Sequence, residues 1–437
     1  MGFSLALLAA GRVAAGTEPG TAPPNFTPRV VSAASTTGLS NQFYSATGQV
    51  YISVDAAGSN SGPANIRVNK RNATSTVRKA FLLAASTGFS GDTIADGSLL
   101  FQSTGITWDT KLASDISSEN YLADVTSIVK PVVDAAAAGI VNLTVDEGSN
   151  TLAIDGEVLA VVFDDSSQTA THSVILLFGA QATTGDTFAV TLGQPIDPSA
   201  PGAFADFGLG ISFSYQTNGT QQYSIVDVNG QRLSTSAGGE DDCRDATSSN
   251  GCLITAGGIG DSDANPPDPN ATPTNPRSDD ELYSLLPFIT NSSTSISVFT
   301  QNPSEDDNIF FAYFDLSAAA VVGEGIVLAP DTATNPVGTT HTVTATVVNT
   351  LGQPVTGRTV TFSVISGPNA GASGSAATDS SGQASFTYTD SGGAGSDQIQ
   401  ASFVDDTDQT LTSNIVSKMW EGPTPTDTPT VTPSMTP

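Results

Sequence analysis

Apolar and hydroxyl residues alternate with period two along the C-terminal part of the chain. Val343, Ala345 and Val347 interleave with Thr342, Thr344 and Thr346. Val360, Phe362 and Val364 repeat the pattern, as do Ala384, Phe386 and Tyr388, and then Ile399, Ala401 and Phe403. This period places each apolar set on one face of a strand and turns the threonines, good β-formers with a hydroxyl, to water. Turn signals separate the runs: Asn335-Pro336, Leu351-Gly352-Gln353-Pro354, Ser366-Gly367-Pro368-Asn369, Asp379-Ser380-Ser381-Gly382 and Gly392-Gly393. About seven short strands within roughly 100 residues predict an immunoglobulin-type sandwich over 324–420. The Cys…Trp…Cys of antibody domains is missing, so this is not a true immunoglobulin domain.

Upstream, residues 25–320 carry apolar runs with less regular alternation. Strands are expected at 49–54, 76–83, 97–102, 140–145, 151–164, 173–179, 187–192, 209–215, 222–227, 295–300 and 308–315. In 119–138 the alanines Ala135–Ala138 favour a helix, but Pro131 and the β-branched Val125, Ile128 and Val129 limit it to a turn or two. The fold class is therefore all-β: a large antiparallel, jelly-roll-like sandwich over 25–320, the Ig-like sandwich over 324–420, and a Pro/Thr-rich tail over 421–437. Proline at every second or third position of that tail gives an extended spacer with no core. The apolar run FSLALLAA within 1–24 resembles the end of a signal peptide, with Val13-Ala14-Ala15 as a cleavage site and no basic segment before it.

The segment NPVGTTHTVTATVVNTLGQPVTGRTVTFSVISGPNAG, followed by TDSSGQASFTYTD, resembles the bacterial Ig-like repeats of the invasin and intimin type (Big-1). Two motifs carry the likeness: Gly352-Gln353-Pro354-Val355 before a Val-Thr-Phe strand, and the Thr-Asp-x-x-Gly-x-Ala-x-Phe hairpin of 378–386. The likeness covers under a quarter of the chain. It implies a rod-like spacer or adhesive module on a bacterial surface and assigns no catalytic residue. The blocks RKAFLL, YLADVTSIV, IDGEVLAVVFDD, VNGQRL and NIFFAYF are similar to those of modular prokaryotic surface proteins whose N-terminal domain has no assigned activity.

Charge narrows the partners. The 437 residues include 43 acidic and 14 basic ones, a formal charge of −29. A nucleic-acid binder must neutralise phosphates with Lys and Arg, so DNA and RNA are excluded as expected partners, and anionic membrane surfaces are disfavoured. No segment is long and apolar enough for a transmembrane helix. Acidity suits a secreted, soluble protein and also one that collects divalent cations.

The densest candidate chemistry lies in the loop 238–281. Asp261-Ser-Asp263-Ala-Asn265, with Asp268 beyond it, matches the opening of an EF-hand loop. The match fails at Pro266, where the turn glycine belongs, and at Thr272, where the bidentate glutamate belongs. Two readings stand for Asp261, Asp263, Asn265 and Asp268: a calcium site in a sandwich loop, or a solvated acidic loop. Cys243 and Cys252 in the same loop read as a small disulfide or as two free thiols. Glu305-Asp306-Asp307 with Asn308 reads as a tight turn, or as a second part of the same acidic rim.

Hydrolytic chemistry finds little support. A Ser/His/Asp triad would need His172 or His341, both expected at surface or edge positions, and no Gly-x-Ser-x-Gly elbow is present. The two tryptophans, Trp108 and Trp420, leave few platforms for sugar stacking, and Trp108 is expected in the core. Among the lysines, Lys79 and Lys418 lie on expected strands, and nothing marks either one for a crosslink to asparagine. The expected function is that of an extracellular or cell-surface binding or adhesion protein, without enzymatic activity, whose ligand is a glycan or a protein. The alternatives are a carbohydrate-active enzyme or carbohydrate-binding protein with an accessory Ig-like domain, and a structural fibre subunit.

Overall fold

The computed structural model describes residues 38–39, 42–58, 62–87, 91–116, 118–149, 153–168, 170–212, 224–238, 254–270, 281–305 and 307–422. It is nearly all β, with antiparallel sheets stacked face to face. The single large sandwich expected over 25–320 resolves into four layers.

The first sheet joins Ala64–Lys70, Gly139–Asp146, Leu100–Phe101 and Thr104–Gly105. The second has the order Val50–Gly58, Ile154–Asp164, Thr76–Ser86, Glu119–Asp124, Thr110–Ala113. The third has the order Gln42–Gly48, His172–Phe178, Asn308–Leu316, Ala205–Ser212, Ile254–Ala256, and Leu282–Ser284 also pairs with Ala205–Ser212. The fourth runs Gln231–Ala237, Ser224–Val228, Ser295–Gln301, Asp186–Leu192, Ala320–Val322.

Separate apolar cores fill the gaps between successive layers. Leu159, Val161 and Phe163 of one strand point to the first sheet, while Val158, Ala160 and Val162 of the same strand point to the third. A strand buried on both faces has no polar side to show, so it reads as a continuous apolar run. The segments VLAVVF, SVILLF and NIFFAYF are the three clearest cases.

The chain order explains the stacking. Gln42–Gly48 belongs to the third sheet and Val50–Gly58 to the second, and the chain bends between them at Gly48 (φ +133°). It returns from Ile154–Asp164 to His172–Phe178 beside the point where it left. Residues 50–164 thus form a complete sandwich inserted between two neighbouring strands of another.

The helix Thr126–Ala135 is longer than the turn or two expected. Val125, Val129 and Val133, four apart on one face, are buried in the first core, and that burial outweighs the cost of Pro131 and the β-branched residues. The Lys70 ammonium, itself buried, donates to the carbonyls of Val133, Asp134 and Ala136 and so satisfies the helix end. The segment Glu119–Asp124 before the helix is a strand.

The C-terminal sandwich has two sheets. One contains Gly325–Ala329, Thr340–Val348 and Gln383–Thr389; the other runs Thr332–Pro336, Val416–Glu421, Gly395–Val404, Thr359–Ser366, Ser373–Ala377. Each alternating set read from the sequence faces its core, and Phe386 is partly buried there. On the outer face the hydroxyls of Thr342 and Thr387 lie 2.7 Å apart, and those of Thr344 and Ser385 3.0 Å apart. Thr332–Pro336 runs parallel to Val416–Glu421. The chain therefore comes in at one pole and leaves at the other, about 35 Å away over the extended run from Gly325 to Pro336.

Candidate functional site

Two aspartates, Asp315 buried and Asp206 half-buried, sit on otherwise apolar strands of the third sheet. Along Ala205–Ser212, the residues Ala205, Phe207, Leu209 and Ile211 enter the core shared with the fourth sheet. Asp206, Gly208 and Gly210 therefore face the second sheet. Along Asn308–Leu316, Ala312, Phe314 and Leu316 face the fourth sheet, which leaves Tyr313 and Asp315 on the same side as Asp206. The register sets Asp206 opposite Asp315, Gly208 opposite Tyr313 and Gly210 opposite Phe311. Glycine is needed at 208 because a β-carbon there would sit inside the Tyr313 ring. The two carboxylates thus end a column whose other rungs are an aromatic ring laid over a glycine.

Asp315 is 5% exposed, and its Oδ1 and that of Asp206 are enclosed without a hydrogen-bond partner. Burial pushes Asp206 up to about 7, the nearby Asp263 raises it further, and Arg71 partly offsets both. Burial likewise pushes Asp315 up to about 7, with Arg71 opposing and Asp206 adding to the rise. The Arg71 guanidinium lies over the Tyr51 ring, 4.5 Å from its centre, rather than on either carboxylate.

The acidic loop is pinned beside this pair. Tyr313 Oη donates to the Gly257 carbonyl (3.1 Å), and the Ile259 amide donates to Val54 O (2.9 Å). Arg67, ion-paired at 2.6 Å with the buried Asp55, donates to Ile259 O (2.7 Å). Glu281, fully buried, accepts from the Gly238 amide (2.8 Å) and from Thr255 Oγ1 (2.5 Å), tying both feet of the loop together.

The four residues expected as calcium ligands take separate roles. Asp261 Oδ2 accepts from the Gly258 amide at 2.6 Å. Asn265 uses its amide as a strand would, donating to Ser284 O (2.7 Å) and accepting from Ser284 N (2.9 Å). Asp268 is exposed and accepts from the Asn270 amide (3.0 Å). Asp263 stands exposed near Asp206. Among the described residues, no three His, Cys, Asp or Glu side chains gather at metal-ligating distance. Cys243 and Cys252, with Glu240, Asp241, Asp242 and Asp245, lie outside the described residues.

Glu305 and Asp307 do not extend this rim, and Asp306 lies outside the described residues. Asn308 pairs with Ser212 while Asp315 pairs with Asp206, so the two acidic groups lie at opposite ends of the same two strands. The Glu305 amide donates to Asn302 O (3.3 Å), and Glu305 adopts φ +57°, as in a tight turn.

Neither histidine is placed as a base. His172 Nδ1 lies 3.1 Å from Val50 O, and its ring meets Phe204 edge-on. His341 is buried rather than at a surface, because it packs against Tyr388 and Trp420, and that burial lowers it to about 4. Trp108 and Trp420 are both buried, the former against Tyr121.

Sequence reasoning found the loop and missed Asp206 and Asp315. The available signal was an aspartate set within an apolar strand, as in FFAYFDL and ADFGLGI. No family model matches the chain, and no curated protein matches it. Among solved structures, the crystal structure of the tetra-tandem repeat in the extending region of a large adhesion protein is similar at 10% identity, over 86% of this chain and 75% of its own, with a TM-score of 0.20. A likeness that slight carries no argument.

Proposed function

We propose that the chain is a cell-surface binding protein of bacterial type, built as a head carried on a stiff arm. The head is the four-layer domain, and its acidic rim around Asp206, Asp263 and Asp315 meets an extracellular glycan or protein. The arm is the sandwich 324–420, read as a repeat of the invasin and intimin type.

The observation that carries this reading is the path of the chain through the arm. Because Thr332–Pro336 runs parallel to Val416–Glu421, the chain leaves at the pole opposite the head. A module with its ends at opposite poles adds length to an extended protein. The seam with the head is also short. Ala320–Val322 completes the fourth sheet, and the Gly323 amide donates to Ala189 O (3.1 Å) two residues before the first strand of the arm, Gly325–Ala329.

Binding is favoured over catalysis by the duties of the residues a glycan hydrolase would need. Both histidines are engaged in packing, and both tryptophans lie in cores rather than on an open platform. The test is to fix the intact chain by its C-terminal end and present it with arrays of glycans and extracellular proteins. The reading expects retention of a partner with no change in it. Release of shortened glycan products would sink the reading in favour of an enzyme.

A further inference from the structure

Asp315 is a carboxylate nearly closed off from water, with an oxygen that meets no donor. Like-charged residues directly opposite each other on neighbouring strands repel, and burying an uncompensated carboxylate is costly. Asp206 and Asp315 combine both penalties, with enclosed and unpartnered Oδ1 atoms on the same face. We propose that Asp206 and Asp315 are the fixed half of a divalent-cation site, closed by Asp263 from the acidic loop, with calcium the ion its chemistry suits.

Three features support the assignment. The strand register and the glycine–aromatic rungs below hold the two carboxylates in place, so their positions are set before any ion arrives. Local charge favours a cation, since Asp263 lies near Asp206, and Asp206, Asp261 and Asp315 lie near Tyr313, with the nearby Arg71 offsetting them only in part. The donors are all hard oxygens, with no thiolate or imidazole among them, which suits calcium rather than a transition metal. Calcium also tolerates irregular sets of six to eight oxygens completed by water, whereas magnesium demands a near-ideal octahedron. Asp315 is buried and Asp206 half-buried, both fixed on strands, and Asp263, exposed on the loop, closes on binding. The inference stands whether or not the head holds a partner.

The intact chain, stripped with EDTA, is titrated with calcium by calorimetry and with terbium by luminescence sensitised through Tyr313. The wild type should bind one ion with a dissociation constant of about a millimolar or tighter. Asp315→Asn and Asp206→Asn should each weaken binding by at least about tenfold and Asp263→Asn by several-fold, because charge count sets affinity in such sites. Asp268→Asn should bind as the wild type does. In EDTA, Asp315→Asn and Asp206→Asn should melt at or above the wild-type temperature, which separates lost binding from lost folding. Absence of calcium binding by the wild type at 10 mM, about ten times the weakest constant expected, would overturn the proposal. Equal binding by the wild type and Asp315→Asn would do the same.

Discussion

Gly352 of the arm lies directly against Ala189 of the head: a β-carbon built on Gly352 would stand 2.5 Å from the Ala189 β-carbon. Gly352 also adopts φ +69°, which other residues enter only with strain. The glycine of the Gly352-Gln353-Pro354-Val355 motif therefore seats the arm on the strand Asp186–Leu192. Gly352→Val should cost about 1–2 kcal/mol through backbone strain and also break this seat. Calorimetry should show the arm melting separately from the head in that variant. A melting profile identical to the wild type would contradict the seat.

The far pole of the arm is held by Asp397. This fully buried carboxylate accepts from Tyr388 Oη (2.9 Å), Trp420 Nε1 (2.6 Å), and both the backbone amide and Nδ2 of Asn369 (2.8 Å each). Asp397→Ala leaves Tyr388 Oη, Trp420 Nε1 and the Asn369 amide without this acceptor, while Asn369 Nδ2 keeps Asp390, and should destabilise the arm by about 3–5 kcal/mol. Trp420 fluorescence during urea unfolding reads the loss directly.

Stability at the seam should depend on pH through Asp331. Burial raises its carboxyl to about 6, and the Ala319 amide of the head, which donates to it, offsets part of the rise. The folded chain therefore holds a proton that the unfolded chain has released between about pH 4 and 6. The stabilising contribution is complete below pH 4 and is lost as pH rises through 6. Asp331→Asn should remove that slope, worth on the order of 2 kcal/mol between pH 4 and pH 7. Parallel denaturation curves at the two pH values check it.

Gly208 gives the simplest test of the column under the aspartate pair. Gly208→Ala drives a methyl into the Tyr313 ring, which is buried and bonded to Gly257. The expected cost is about 1–3 kcal/mol, as for overpacking elsewhere. Tyr313→Leu combined with Gly208→Ala should recover part of it, and a purely additive double variant would contradict the rung.

The arm was legible from sequence because it has two layers, and each strand there shows one face to water. Val343, Thr344, Ala345 and Thr346 state their own orientation. Many strands of the head were legible as strands, though Gln42–Gly48, Ala64–Lys70 and Gln231–Ala237 were not, and the layering was not: in Val158–Phe163 both faces are apolar, so alternation carries no information about what lies on either side. Short strands such as Leu282–Ser284 form only because Ala205–Ser212 is there to pair with, and nothing local marks them. The acidic loop stood out by composition, yet composition could not say that Asn265 would be spent on Ser284. Asp206 and Asp315 meet through a strand register that joins distant parts of the chain, which no local spacing encodes.

The most direct test of the head-and-arm account sets the intact wild-type chain beside the triple variant Asp206→Asn, Asp263→Asn and Asp315→Asn. Both are fixed by the C-terminal end, and each is measured for affinity to the partner found on the arrays. A rim that binds predicts a loss of at least about tenfold, or 1.4 kcal/mol, in a variant that still folds. Unchanged affinity in the triple variant would place binding elsewhere and contradict the account.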